Sequence, residues 1–164
     1  MRKSNQEIKE WKVLEQILKG SLICRIAMMD QDRPYLLPFN YGYRERTIYI
    51  HSAPAGKKID MLRENNQVCF EVEHTAELIK GEKACDWTTL YRSVVGYGTV
   101  EIIEDHAGKK EGLEIIMGRH GAPDLVDFNP GNLKRMVILK LTITSITGKQ
   151  SGNWNRINSI EYPQ

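Results

Sequence analysis

The sequence predicts a mainly β fold with accessory helices, built on one antiparallel sheet that closes into a barrel. Six short runs rich in β-branched and aromatic residues follow one another closely. Helical patterns interrupt these runs and do not alternate with them, which disfavours regular βαβ units. Because closure removes exposed strand edges, a small antiparallel sheet tends to form a barrel. The 164 residues, 41% of them hydrophobic, suit one domain with a sizeable core.

Composition limits the classes of function. The chain has 23 basic and 21 acidic residues, and its net charge of +2 is too close to neutral to predict binding to nucleic acid or to a charged membrane surface. No apolar run exceeds four residues, so no membrane span is expected. The N-terminus shows no apolar leader. The three cysteines lie in apolar or aromatic neighbourhoods and indicate reduced thiols, which predicts a cytoplasmic protein.

The chain is predicted to begin with an amphipathic helix over about 6–19. Ser4 or Asn5 is available as its cap, and Gly20 is expected to end it in a left-handed conformation. Apolar residues recur there at helical spacing, namely Ile8, Trp11, Leu14 and Leu18. This pattern predicts a helix that packs one face against the rest of the domain.

We expect a single domain over 1–164, with the barrel over about 21–147 and a polar tail over 148–164 in which Trp154 is the anchor. Pro38 lacks a backbone donor, so it indicates a sheet edge, a bulge or backbone turned towards a ligand. Residues 74–89 have no clear period and are expected to form a loop or an extension. The predicted strands are 22–28, 35–43, 47–51, 67–73, 94–103 and 135–146, the first three forming a meander, with helices at 57–63 and 108–120.

The most informative pattern lies in the segment Tyr49–Lys58. A strand leads through Ser52 and small residues to Gly56 and a helix start that carries Lys57 and Lys58. Helix N-termini offer unpaired N–H groups and a partial positive charge, which favour a phosphate dianion. The lysines and the serine add charge-assisted donors. The alternative is a surface helix whose lysines are only solvated.

The size of these interactions indicates what kind of phosphate ligand fits. Two hydrogen bonds to a charged group contribute about 3–6 kcal/mol, whereas micromolar binding needs roughly 8 kcal/mol. A flat phosphorylated cofactor therefore fits better than inorganic phosphate. The segment is not a Walker loop, because His51 and Lys58 occupy its first glycine and its Ser/Thr positions. Gly96-Tyr97-Gly98 is not a dinucleotide fingerprint, because Glu101 stands at the third glycine position.

His51 is the candidate catalytic residue. It ends a strand directly before the predicted phosphate turn, where an imidazole can donate a hydrogen bond or a proton near neutral pH. The alternative is a histidine that only packs or caps the strand. No spacing of His, Cys, Asp and Glu predicts a metal site. Cys24 and Cys69 are expected to pack as small hydrophobic residues and not to act as nucleophiles.

An ordered set of motifs resembles the FMN-binding split β-barrels of the pyridoxamine 5′-phosphate oxidase superfamily. Within it, the sequence is most similar to the branch that contains the nitroimidazole-resistance flavoproteins. The resemblance spans roughly residues 20–150. It rests on Arg33–Gly42, Tyr49–Ala53 with Gly56–Lys58, Val68–Val72 and Tyr91–Gly98, in that order.

The resemblance implies a homodimer that binds FMN between its protomers. Lys57 and Lys58 match the family's basic pair on the FMN phosphate, and His51 and Ser52 match the strand-end pair beside the ribityl phosphate. His51 also matches the active-site histidine of the nitroimidazole branch. The backbone along the isoalloxazine is matched by Leu36, Leu37, Pro38, Phe39, Asn40 and Tyr41.

Two further positions belong to the resemblance. Ser93 matches a polar residue that faces the flavin from across the dimer. Lys149, in Ile146-Thr147-Gly148-Lys149, matches a recurrent feature of the branch to which no role is assigned. Lys57 stands where the oxidases have arginine, and the tail lacks their Trp…Arg-Leu segment for the substrate. Oxidation of pyridoxamine phosphate is therefore not expected.

The expected function is that of an FMN oxidoreductase. It would pass electrons from a nicotinamide nucleotide or a reductase, through the flavin, to a small acceptor such as a nitroaromatic compound. The alternative function is binding of flavin or haem for storage or sensing, without turnover. A third possibility, a scaffold that has lost its cofactor, is disfavoured by the retained lysine pair.

Overall fold

The computed structural model describes residues 4–122, 130–152 and Trp154. In chain order the strands are β1 (Glu7–Ile8), β2 (Ile23–Asp30), β3 (Arg33–Asn40), β4 (Gly42–Arg44), β5 (Thr47–Ser52), β6 (Gln67–Ile79), β7 (Thr88–Ile103) and β8 (Val137–Ser151). The helices are α1 (Trp11–Gly20), α2 (Lys57–Glu64), α3 (His106–Arg119) and α4 (Pro130–Leu133). Short 3₁₀ turns lie at Ser4–Gln6 and Ala84–Asp86.

All strands belong to one antiparallel sheet, as predicted. Its order is β3-β2-β6-β7-β8-β5-β4, with β1 paired to β8. Among the described residues β3 and β4 are the two ends of this path, so hydrogen bonds do not close the sheet and its edges remain. The predicted meander is wrong, because β3 pairs with β2 whereas β5 pairs with β4 and β8. Alternation of apolar and polar residues predicts where a strand lies in the sequence, but it does not predict which strand pairs with it.

The chain crosses from one end of the sheet to the other in a single step. β3 ends at Asn40, and β4 begins at Gly42. β4 pairs with β5 only over Thr47–Tyr49, so the residues 50–52 of β5 have β8 on one side and no β4 partner on the other. The end of β3 therefore runs towards the open edge of β5. We call the gap between β3 and the residues 50–52 of β5 the split.

The N-terminal helix starts later than predicted. Ile8 is not helical but pairs with Gly148, and α1 begins at Trp11 with Glu10 at its N-cap and no side-chain cap. Gly148 allows this arrangement, because a Cβ there would collide with Ile8 and Leu14. The expected caps at Ser4 or Asn5 are therefore wrong.

The C-terminus of α1 is satisfied by distant side chains. Gly20 is its last residue, and the following Ser21 has extended backbone, so a left-handed glycine does not end the helix. The last carbonyls of a helix lack intrahelical donors. Tyr41 donates its hydroxyl to the Leu18 carbonyl, and Arg119 donates to the carbonyls of Gly20 and Ser21. These bonds fix α1 to the sheet and to α3.

β6 and β7 form a long hairpin where the sequence predicts a loop or an extension. Of the two alternatives for 74–89, a loop is wrong for most of the segment, because β6 continues to Ile79 and β7 starts at Thr88, and a connection remains only between these two residues. Leu78 is 53% exposed and Trp87 is 49% exposed. A hairpin with exposed large side chains lacks the alternation of a half-buried strand, and this explains the missed signal. In β7, Gly96 lies against the Phe70 ring, where a Cβ would collide with the ring.

The last strand is longer than expected. β8 continues to Ser151, so the boundary at 147 is wrong and the Lys149 motif belongs to the sheet. Trp154 is buried, and its indole N–H donates to the Ser151 carbonyl at 2.9 Å. This confirms Trp154 as an anchor. The remainder of the predicted tail lies outside the described residues.

One core fills the space between the inner face of the sheet, α1 and α2. α1 contributes Ile17 and Leu18, and α2 contributes Ile59 and Leu62, which are three residues apart and lie on one face of that helix. A second cluster joins α3 to β5 and β8. No helix in the described part of the chain is both long and apolar enough to cross a membrane.

Candidate functional site

The start of α2 follows closely after residues 50–52 of β5, which border the split. The chain leaves β5 at Ser52, turns through Gly56 and enters α2 at Lys57. Gly56 has φ 111°, a conformation that favours glycine, and its carbonyl accepts the N–H of Ile59 at 2.8 Å. The amides of Lys57 and Lys58 precede this bond, and no side chain caps the helix. The turn therefore presents backbone donors suited to an anion.

Lys57 links α2 to the first strands of the sheet. Its Nζ lies 2.6 Å from Oδ2 of Asp30 and 5.0 Å from the centre of the Tyr35 ring. The hydrogen bond to Asp30 raises the pKa of Lys57, which keeps the side chain protonated. An ammonium group has three donors, so the contact with Asp30 leaves others for a ligand. Lys58 is half-buried beside it.

His51 and Ser52 end β5 at the open edge of the split. His51 is exposed, and its imidazole makes no hydrogen bond to a described residue. Ser52 is buried, and its hydroxyl donates to the carbonyl of Ala53 at 2.9 Å. His51 is therefore free to meet a ligand. The Ser52 oxygen remains an acceptor, while its proton is already used.

The segment 36–41 divides between two surfaces. Leu36, which is 58% exposed, points outward together with Pro38 and Asn40, whereas Leu37 and Phe39 pack on the core. β3 is an end strand of the sheet, so of the three alternatives for Pro38 the structure shows the sheet edge. Only the outward residues and the backbone of this segment can meet a ligand.

Tyr41 has a structural role. Its side chain is fully buried, and burial raises the pKa of its phenol, so the hydroxyl stays protonated as the donor to Leu18. We expect Tyr41→Phe to lower the free energy of unfolding by about 1–3 kcal/mol, because a buried carbonyl loses its donor. Urea denaturation measures this change. Tyr97→Phe is the matched control, since Tyr97 is 60% exposed. Equal losses in the two variants would contradict the structural role.

Ser93 does not line the split of its own protomer. It lies on β7 between Glu73 of β6 and Lys149 of β8. Three inter-strand steps separate β3 from β7 in the sheet, a distance of about 14 Å. The structure thus places His51, Ser52, Lys57 and Lys58 on one stretch from β5 into α2, with Lys57 in contact with Tyr35 near the start of β3, and it leaves Ser93 apart.

Sequence reasoning missed two residues of the site. Asp30 holds Lys57, and Tyr35 lies under its ammonium group. Asp30 ends β2 just before the turn into β3, where an aspartate is typical of turn formation alone. The sequence does not show which strands pair or which helix lies near the end of a given strand. A carboxylate at that position therefore gives no sign that it contacts a distant helix.

The thiols have different surroundings. Cys24 is fully buried, as predicted, and burial raises its pKa. Burial also raises the pKa of Cys69. Cys85 is exposed next to Asp86, so the apolar environment expected for it is wrong. Over 4–122, 130–152 and Trp154, no cluster of His, Cys, Asp or Glu has the arrangement of a metal site.

Comparisons with known proteins agree with this fold. A family model described as pyridoxamine 5′-phosphate oxidase matches residues 10–150. A candidate 5-nitroimidazole antibiotic resistance protein from Bacteroides thetaiotaomicron has a similar structure, with a TM-score of 0.79 and 30% identity over 88% of this chain and 86% of that one. An uncharacterised protein of Rhizobium meliloti is 33% identical over 54 residues, which are 33% of this chain and 35% of the relative.

Two more distant structures share the fold. A flavocytochrome from Azotobacter vinelandii has a TM-score of 0.80 and 20% identity, covering 93% of this chain and 72% of that one. A protein from Mycobacterium smegmatis that binds FAD and haem has a TM-score of 0.80 and 19% identity, covering 91% and 75%. The likeness to both supports the split-barrel class predicted from the sequence. With its fold and the match to residues 10–150, the chain belongs to the pyridoxamine 5′-phosphate oxidase family.

Proposed function

We propose that the protein binds FMN at the split and passes reducing equivalents from the flavin to a small acceptor, such as a nitroaromatic compound. One observation carries this proposal: the start of α2 follows the open edge of β5, and Lys57 at that helix start contacts Asp30 at the end of β2 and Tyr35 near the start of β3. The similarity to a candidate 5-nitroimidazole resistance protein supports the choice of acceptor.

The start of α2 fits the phosphate of FMN. It offers the amides of Lys57 and Lys58 and the ammonium groups of both side chains. The helix dipole adds a partial positive charge at this end. The contact with Asp30 holds the Lys57 ammonium group in place, so the cation is in position before the ligand binds. Orienting the cation in advance reduces the entropy lost on binding.

The outward residues of β3 fit the flavin ring. Leu36 and Pro38 offer apolar surface on the exposed side of an end strand. Burial of this surface against the ring adds the free energy that the phosphate contacts alone do not supply. We therefore expect the ring to lie along β3, with the phosphate at α2.

His51 is proposed to act on the acceptor. Bound FMN supplies the electron-transfer chemistry, with a nicotinamide nucleotide or a reductase as the electron donor. His51 is exposed at the rim of the split, where it can hold an acceptor by a hydrogen bond. Its imidazole also donates the proton that balances the negative charge of the electrons taken up by the acceptor.

A second copy of the chain is part of the proposal. Exposed apolar side chains lie on neighbouring strands, and Leu36, Ala27, Cys69 and Tyr97 are successive cross-strand partners on one side of the sheet. We call this side the outer apolar face. Contiguous exposed apolar surface is typical of protein–protein contact. Ser93 belongs to the same side, because it is four residues before Tyr97 on β7, and residues an even number apart on a strand project to the same side. A second copy on this face can bring its Ser93 to the first copy's split.

The visible spectrum of the purified full chain, before and after addition of FMN, tests this function. We expect flavin absorbance that stays with the protein during gel filtration, and elution as a dimer. Failure to bind FMN at micromolar concentrations would overturn the proposed cofactor, as would tighter binding of FAD or of haem. Elution of the flavin-loaded chain as a monomer would overturn the second copy. Bound FMN that no nicotinamide nucleotide or reductase reduces would overturn the proposed catalysis in favour of storage or sensing.

A further inference from the structure

Three polar or aromatic side chains form a patch where β7 and β8 pair, at the end of the outer apolar face. Ser93 and Lys149 are direct cross-strand partners, and Tyr91 is two residues before Ser93 on β7. Direct partners and residues two apart project from the same side of a sheet. We call these residues, Tyr91, Ser93 and Lys149, the lysine patch.

Lys149 is half-buried, and in the part of the chain that the structure describes its ammonium group has no carboxylate partner. Its other neighbour in the sheet is Glu7 of β1, whose carboxylate lies 3.9 Å from Lys9. The Lys149 ammonium lies 5.8 Å from the centre of the Tyr91 ring, so the side chain leans over β7 towards Tyr91. Within the described residues, no Asp or Glu lies within 4.0 Å of Lys149. A lysine that is partly desolvated and unpaired is well suited to meet an anionic ligand.

We infer that Lys149 of one protomer contacts the flavin ring bound at the split of the other. The inference rests on the proposed function, in which Ser93 faces the flavin across the dimer. Because Lys149 lies beside Ser93 on the same side of the sheet, whatever brings one side chain to the ring also brings the other. Lys149 is then a binding residue that supplies positive charge, and Ser93 supplies a hydroxyl.

The sign of the effect follows from charge. Reduction adds negative charge to the polar edge of a flavin ring, and a neighbouring cation stabilises the reduced cofactor more than the oxidised one. Lys149 therefore raises the midpoint potential of bound FMN. Loss of the charge is expected to reduce the preference for reduced over oxidised FMN by at least tenfold, which lowers the potential by about 30 mV for a two-electron couple.

The test compares three variants by spectrophotometric redox titration of the FMN-loaded protein. We expect Lys149→Met to lower the potential and Lys149→Arg to keep it close to that of the unmodified protein. Lys140→Met is the matched control, because Lys140 is on the same strand and its Nζ lies 3.8 Å from Glu101. An unchanged potential in Lys149→Met would overturn the inference and leave the proposed function standing. Failure of the unmodified chain to bind FMN would overturn both.

Mixed dimers test the contact between protomers. One chain carries Lys57→Ala/Lys58→Ala, the other carries Lys149→Met, and two affinity tags select the mixed dimer. If Lys149 acts across the interface, the site with intact Lys57 and Lys58 receives an intact Lys149, and its FMN titrates at the unmodified potential. A lowered potential at that site would show that Lys149 acts within its own chain, contrary to the inference. The Lys149→Met homodimer supplies the reference value.

Discussion

Replacement of both lysines at the start of α2, as Lys57→Ala/Lys58→Ala, is expected to weaken FMN binding by roughly tenfold or more. Both cations lie at the helix start whose free amides are proposed to hold the phosphate. Removal of two charge-assisted donors leaves only the amides and the helix dipole for the dianion. Fluorescence titration with FMN measures the dissociation constant, because bound and free flavin differ in emission.

A matched double variant separates this effect from a general loss of charge. Lys12 and Lys110 are exposed on other helices, α1 and α3, so Lys12→Ala/Lys110→Ala removes the same charge without changing the start of α2. We expect its dissociation constant to stay within about threefold of the unmodified value, since exposed distant charges are screened by salt. Titration with riboflavin, which lacks the phosphate, should give equal constants for all three proteins. An unchanged FMN constant in Lys57→Ala/Lys58→Ala would refute the phosphate assignment.

The second large effect is expected from His51→Gln. Loss of a positioned proton donor lowers the rate of a reaction by about 100-fold or more. Glutamine retains hydrogen-bonding capacity but cannot donate a proton as an acid, so FMN binding should change little. Single-turnover reduction of a 5-nitroimidazole by the pre-reduced protein measures the rate without the electron-donor step.

The control for this variant is His106→Gln. His106 is exposed at the start of α3, so its replacement should leave acceptor reduction unchanged. Equal rates in His51→Gln and the unmodified protein would contradict the role of His51 as proton donor and would indicate that water donates the proton.

The identity of residue 57 has a physical consequence for the site. Resemblance to the oxidases leads one to expect arginine, whereas this chain has Lys57 in contact with Asp30. An arginine fork pairs with a carboxylate through two parallel bonds, which would commit much of it to Asp30. A lysine pairs as a point charge and keeps donors for a second anion. The combination of Asp30 with Lys57 therefore fits a site in which one cation serves both a carboxylate and a phosphate.

Much of the candidate site is local in sequence, and the sequence alone located it. Ser52, Gly56, Lys57 and Lys58 lie within seven residues, from Ser52 to Lys58, and the structure has the strand, turn and helix expected there. Strand alternation and the apolar spacing of α2 depend on backbone geometry that each segment has by itself. This is why the antiparallel strands, the helix with Ile59 and Leu62, and the edge position of Pro38 were predictable.

Other features depended on which segments meet. Tyr41 is a typical strand residue by composition, and only the position of α1 makes its hydroxyl the donor to Leu18. The hairpin formed by β6 and β7 has exposed residues at its end, so the period that reveals half-buried strands is absent there. The pairing of Lys149 with Ser93 joins residues that are far apart in the chain, and no local pattern reports it.

The sequence by itself determined the class of fold, the turn at the start of α2 and the residues that offer charge to a phosphate, because these follow from short-range periodicity and side-chain chemistry. The tertiary structure alone decided three features. These are the position of β3 and β4 at opposite ends of the strand order, the contact of Asp30 with Lys57 and the distance of Ser93 from the split. The reason is that strand partners and register are chosen by the burial of whole faces, a property of the assembled sheet and not of any one segment.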